Sequence, residues 1–218
     1  MKNLKKTSSI AGVVAIGLYF VFDFISTIIN LFTMRGVEGV SILNSLGGMF
    51  KTLVLFGFMA FYLIYGIIKK NDKNDKVMNI LLLVAFGLLS LSYIRGIINL
   101  FSVIFKYAKY LNKWYIAGNI INVLVYITNI AIWVLLALNV ISLLTKKKMP
   151  SKIFTYVVFG LLAFSLVLEL AYSVTALITG FNFRTLLILI GGILMAIFMI
   201  VFKACLGYVI LENTKEIK

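Results

Sequence analysis

The chain has no histidine, a single cysteine and a single proline in 218 residues. Without histidine, neither a Ser-His-Asp nor a Cys-His relay can form, and the usual Cys/His zinc sets are excluded. The lone Cys205 excludes an intramolecular disulfide, and its place in an apolar run makes it a small buried hydrophobe. A Gly-x-Ser-x-Gly elbow and clustered acidic metal ligands are missing too. No catalytic residue, metal ligand or cofactor is therefore expected, and an intramembrane enzyme is the weakest of the functional readings. Charge is also scarce. Charged residues make up 13% of the chain, against about 25% in soluble domains, and only 7 of them are acidic.

What fills the chain is apolar: 62% of residues are hydrophobic and the mean hydropathy is +1.09. Soluble domains run at about 45–50% apolar, and a water-soluble chain with this excess would expose enough apolar surface to aggregate. Lipid is the solvent that suits it. The net charge of +14 could point to a phosphate backbone. The lysines, however, stand in short tracts between apolar runs, such as Lys69-Lys70 and Lys146-Lys147-Lys148. That placement fits membrane flanks and anionic headgroups, so the bilayer is an expected partner and nucleic acid is not.

A transmembrane helix needs about 20 apolar residues to cross about 30 Å of hydrocarbon. Segments that qualify are Ile10–Thr33, Leu46–Ile68, Val77–Phe105, Trp114–Leu144, Ile153–Thr179 and Leu186–Leu211, an all-α integral membrane protein of six spans in one domain over residues 1–218. The third and fourth are long enough to call for tilt. The strict alternation of a lipid-facing β-barrel is absent. Lys2, Lys5 and Lys6 ahead of the first run resemble a signal peptide, but the run continues to about Met34 without a cleavage site. It reads as a first span that is its own signal.

Basic residues set the expected orientation. Lysines crowd the N-terminus, the second connection (Lys69, Lys70, Lys73, Lys76), the fourth (Lys146, Lys147, Lys148, Lys152) and the tail (Lys215, Lys218). The opposite side has only Arg35, Lys106, Lys109, Lys113 and Arg184. Both termini are expected inside, and a bacterial cell membrane is the expected location. Tyr107, Tyr110, Trp114 and Tyr115 mark a headgroup boundary, and Lys106–Lys113 reads as an interfacial turn or short surface helix. Pro150 is placed to stop one helix and start the next.

Three helical hairpins of about 70 residues can be drawn as a repeat. Gly17, Gly87 and Gly160 recur in the odd spans, and Ile-Ile-Asn-Leu-Phe occurs at Ile28–Phe32 and Ile97–Phe101. Gly47-Gly48, Gly118 and Gly191-Gly192 mark the even ones. Parallel repeats of this kind occur in some transporters, although chance matches are frequent in so biased a sequence.

The charges inside the spans carry the most information: Asp23, Lys51, Arg95, Glu169 and Lys203. A charge at a helix centre costs roughly 2.5–3.5 kcal/mol on insertion scales, so such groups face the bundle or a wet cavity. At about 1.5 Å per residue, Asp23, Glu169 and Arg95 lie about 20, 24 and 27 Å from the inner ends of their spans, and Lys51 about 8 Å from its outer end. These four fall in one layer of the outer half. Lys203 is expected near the inner end, snorkelling to the headgroups.

Helical spacing adds polar neighbours. Tyr19, Ser26, Thr27 and Asn30 share the Asp23 face; Ser92, Asn99 and Ser102 share that of Arg95; Ser165, Tyr172 and Ser173 that of Glu169. The fourth span has a stripe of Asn119, Asn122, Tyr126 and Asn129. The Asn and Ser residues read chiefly as interhelical glue, whereas Asp23, Arg95 and Glu169 are functional candidates by default. Lys51, Asn30, Asn99, Asn122 and Asn129 complete the set of candidates for binding a small polar solute or an ion. Met195, Met199 and Lys203 read as an ordinary core or partner face, and Arg35–Ser45 as a loop long enough to cover an outer pocket.

Six spans, inner termini and an outer polar layer resemble the membrane substrate-capture subunits of energy-coupling-factor vitamin transporters. The Ala11-x-x-x-Ala15 step is similar to the small-residue face those subunits turn to their partner, although the proline-bearing first loop usual in many of them is missing. The resemblance implies a small-solute transporter or its substrate-binding subunit, which can meet another membrane subunit through its helix faces. The alternative is a non-transporting accessory, immunity or assembly partner whose intramembrane charges are structural.

Overall fold

The computed structural model describes residues 2–33, 39–68, 76–107, 109, 111–146, 151–179 and 183–215. Among them are six α-helices: α1 (Lys2–Thr33), α2 (Gly39–Ile68), α3 (Lys76–Tyr107), α4 (Lys113–Thr145), α5 (Ser151–Thr179) and α6 (Phe183–Lys215). Each contains a stretch long and apolar enough to cross a membrane, so the chain has the make-up of a multi-pass membrane protein. Helices are what such a sequence must form there, since every backbone N–H and C=O has to be satisfied within its own segment.

The helix bounds correct one expectation and decide between the two readings of another. The loop read over Arg35–Ser45 is helical from Gly39 onward, because nothing in that stretch breaks a helix and the next apolar run continues it. Residues 34–38 and Pro150 lie outside the described residues; α5 starts at Ser151, directly after that proline. Between α3 and α4 the chain makes a turn, with no surface helix among its described residues. Asn112 caps α4, accepting from the Trp114 amide at 3.1 Å.

The helices pack in chain order and α6 closes the ring against α1, one of the most extensive contacts in the bundle. At one end Lys5 of α1 donates to Asn213 of α6, which donates to the Tyr62 hydroxyl of α2 at 3.0 Å. The start of α1 and the ends of α2 and α6 therefore meet, and this is termed the terminal end. In that half the interior is dry and filled by Leu63, Leu82, Leu136, Val140, Leu206 and Ile210. Mid-bundle, an aromatic cluster follows: Trp133 stacks on Phe86 at 5.3 Å, and Phe56 lies between Trp133 and Phe202. The outward faces are rich in exposed Leu, Ile, Val and Phe, as lipid contact requires.

The packing bears on two further expectations. Ala15 is only 4% exposed and belongs to the core, so this small residue serves the packing of helices inside the bundle and does not present a face outward. Next to it Gly12 allows the close approach of three helices: a Cβ there would lie 2.7 Å from Leu63 Cδ1 and 3.0 Å from Cys205 Cβ. The polar side chains serve in two ways: Ser92 and Asn129 join helices by accepting from Lys51 and Lys203, and several also bond within their own helix. Asn119, Thr128, Asn129 and Asn139 donate back to the carbonyl four residues earlier in α4, and Ser92 and Ser173 do the same in α3 and α5. A short polar side chain in lipid finds its nearest acceptor on its own helix.

That habit leaves Asn139 half satisfied. Its Nδ2 bonds to the Leu135 carbonyl at 2.8 Å, whereas its fully buried Oδ1 meets no partner among the described residues. Asn139→Leu will therefore raise the unfolding free energy by about 1–2 kcal/mol, since an unsatisfied buried acceptor is replaced by an apolar group of the same branching and heavy-atom count. Denaturation of the detergent-purified protein followed by circular dichroism checks this.

Candidate functional site

In the half of the bundle away from the terminal end, the side chains leave a cavity of about 510 Å³. It exists because several helices turn small or polar residues to the same space. α6 contributes Gly192 and Ala196, then Met195, Met199 and Lys203 along one stripe. α4 contributes Asn122, Tyr126 and Asn129 at i, i+4 and i+7, the polar stripe visible in the sequence. α1 adds Tyr19 and Asp23, α5 adds Glu169, α3 adds Ser92 and Tyr93, and α2 adds Gly48 and Lys51.

Helical rise places these charges in depth. At about 1.5 Å per residue, Asp23 and Glu169 lie about 15 Å from the far ends of α1 and α5, and Lys51 and Arg95 about 18 Å from those of α2 and α3. The apolar stretch of α2 runs Gly47–Ile68, so Lys51 is close to its outer end as expected from sequence, although the helix itself starts earlier, at Gly39.

Lys203 corrects the sequence reading most. It does not snorkel: it is 3% exposed and sits about 18 Å from the end of α6 at Lys215, too far for its chain to reach that end. Its ammonium donates to Asn129 Oδ1 and lies 5.5 Å from the centre of the Trp133 ring, a cation–π contact. Asn129 can accept because its own Nδ2 is already spent on the Val125 carbonyl. Met195 and Met199, read as plain core or partner face, line the cavity above this lysine.

The electrostatics follow from these positions. Glu169 is within Coulombic range of Lys203, and Tyr19 within range of both Asp23 and Glu169. Both carboxylates thus line the same cavity within electrostatic range of one tyrosine. Tyr93 packs on Tyr126 at 5.4 Å between ring centres, so phenol groups line the wall between α3 and α4. Lys51 is exposed at the seam between α2 and α3 and donates to Ser92 Oγ at 2.5 Å.

Of the residues singled out from sequence, Asp23, Glu169, Lys51, Asn122 and Asn129 come together here. Arg95 does not: it lines a separate groove on the outside of the α2/α3 seam, with Phe50, Leu88 and Leu91. Asn99 is exposed on α3, and the side chain of Asn30 lies outside the described residues. Tyr93 and Lys203 were missed as site residues. One signal for Lys203 was available: it shares a helical face with Gly192, Ala196 and Met199, and small residues on that face leave space for a charge to enter. The site offers two carboxylates as acceptors, two ammonium donors and several phenol and amide groups in an otherwise apolar enclosure. Compared with protein-family models, curated proteins and solved structures, the chain matches none.

Proposed function

We propose that this chain is a solute transporter of a cell membrane, or the substrate-binding membrane subunit of one, and that its ligand carries both signs of charge. The observation that carries this is the gathering of Asp23, Glu169, Lys51 and Lys203 around one cavity of about 510 Å³ inside an apolar bundle. Each such charge is costly in hydrocarbon, and self-pairing alone would favour direct contacts rather than an open space between them. A cavity of this size with a few convergent polar groups is the usual form of a small-ligand site. The lysine-rich terminal end is the cytoplasmic one on the positive-inside rule, so the cavity lies in the outer half of the membrane. Substrate then meets the charged layer before it meets the dry core beneath.

The test is a thermal-shift screen of zwitterions, amino acids and ions on the purified protein. At least one zwitterion will raise the midpoint, and Asp23→Asn or Glu169→Gln will reduce its affinity about tenfold or more, the effect of one lost charged hydrogen bond of about 1.5–3 kcal/mol. A broad screen in which nothing shifts the midpoint would sink the reading. So would variants that unfold outright while no ligand is found, the pattern of purely structural charges.

A further inference from the structure

We infer that the ligand of this cavity is an amphiphile: a phospholipid with a primary amine in its headgroup, admitted from the bilayer between α2 and α3. The inference rests on the ligand-binding reading of the same cavity and names the class of molecule it takes. Its basis is the continuity of two spaces. The groove on the outside of the α2/α3 seam, about 390 Å³, shares Lys51, Leu55 and Ser92 with the wall of the central cavity. Two of the shared residues, Lys51 and Ser92, are joined by a hydrogen bond across the seam. Among the described residues this seam is also the sparsest between any two helices consecutive in the chain.

The groove is amphipathic along its length. On α3 it presents Leu88, Leu91 and Arg95, and on α2 Lys51 and Val54. Chain direction orders them: Arg95 and Lys51 lie nearer the far end, while Leu88 and Val54 lie deeper. An acyl chain lying against the leucines therefore puts its phosphate beside the arginine and lysine, the order in which a lipid of that leaflet stands. Both basic side chains are exposed, and Lys51 stands close to the start of the apolar stretch Gly47–Ile68 of α2. Arginine is also the side chain best suited to hold a phosphate through paired donors.

The inner side of the same seam supplies the opposite charge. Beyond Lys51 and Ser92 the cavity wall also holds Asp23, Glu169 and Tyr19. These groups accept hydrogen bonds, which an ammonium donates and a glycerol or quaternary ammonium head cannot match in charge and donors together. Phosphate at the seam and amine inside is the polarity that an amine-bearing headgroup has. Lys51, held by one hydroxyl, is the latch that a phosphate draws away.

The test uses the full-length protein in detergent with three probes: palmitoyl lysophosphatidylethanolamine, palmitoyl lysophosphatidylglycerol and tailless phosphoethanolamine. Binding is read by native mass spectrometry and by midpoint shift. We expect the amine-bearing lipid to bind saturably and at least tenfold tighter than either other probe. Arg95→Gln and Leu91→Trp, both on the exposed groove face where folding tolerates change, will each weaken it tenfold or more. Equal binding of the two lipids, or binding insensitive to Leu91→Trp, would mean an unselective lipid shell and would overturn the inference. If phosphoethanolamine binds as well as the lipid and Leu91→Trp leaves it unchanged, the cavity binds solutes but not through this seam. That outcome overturns the lateral route and leaves the proposed function standing. If none of the three binds, the inference is overturned, and the zwitterion screen alone decides the function of the cavity.

Discussion

Lys203→Met will lower the stability of the purified protein by about 1.5–3 kcal/mol, the cost of losing a buried hydrogen bond made by a charged group. The methionine is close to lysine in length, so the loss is not one of volume. It leaves Asn129 Oδ1 without its donor and the Trp133 face without its cation, and Glu169 loses the positive charge in its range. One effect opposes this: a lysine at mid-membrane costs roughly 2.5–3.5 kcal/mol on insertion scales, which the substitution returns. In the folded bundle that cost is already offset by the hydrogen bond, the ring and the carboxylate, so the uncompensated partners decide the sign. The double change Lys203→Met with Glu169→Gln removes the orphaned charge and should restore at least half of the loss. Denaturation midpoints of the two variants measure this directly. A single variant as stable as the parent would show that Lys203 is not part of a coupled set.

The six spans were legible because hydrocarbon imposes a length and a composition on any helix that crosses it, and the apolar runs obey both. The ends were less so: α2 gains a further stretch from Gly39 because a loop-like composition with Gly and Ser is still compatible with helix. The polar layer was legible for Asp23 and Glu169, since depth follows from helical rise alone and their faces turned inward. Arg95 shows the limit of that argument. Its stripe with Ser92 and Asn99 marks a polar face, yet the helix rotation about its axis turns Ser92 to the cavity and leaves Arg95 and Asn99 outside. Rotation is set by packing partners, of which a single sequence says little. Lys203 failed for a different reason. Snorkelling is the ordinary fate of a lysine near a helix end, and partners distant in the chain, Asn129 foremost at 74 positions away, make its burial tolerable. The glycines of the proposed hairpin repeat are also uneven. A Cβ on Gly17, Gly87 or Gly160 would meet open space, but one on Gly118 would lie 2.8 Å from Thr175 Oγ1.

Gly96 offers the clearest separation of site geometry from stability. A Cβ at this position would lie 2.6 Å from Cε2 of Tyr126, with Cδ2 and Cζ of the same ring also inside contact distance. The glycine therefore lets the Tyr126 ring come close to α3, where Tyr93 packs against it. Gly96→Val will force that ring off α3, and the free space beside it is the cavity it lines. Overpacking of this kind costs about 1–3 kcal/mol, and the protein should remain folded. Binding should suffer more than stability, because the displaced phenol occupies the room that the ligand needs. We expect affinity for whatever zwitterion or amine-bearing lipid binds the parent to fall by tenfold or more. The second variant, Gly96→Val with Tyr126→Ala, removes the ring that clashes. It should recover most of the stability and most of the affinity, a coupling that a double-mutant cycle reads as a large interaction term between the two positions. If the single variant loses stability without losing affinity, Tyr126 is packing alone and the ligand sits elsewhere in the cavity. If the pair shows no coupling, the close approach of α3 and α4 at Gly96 does not shape the site.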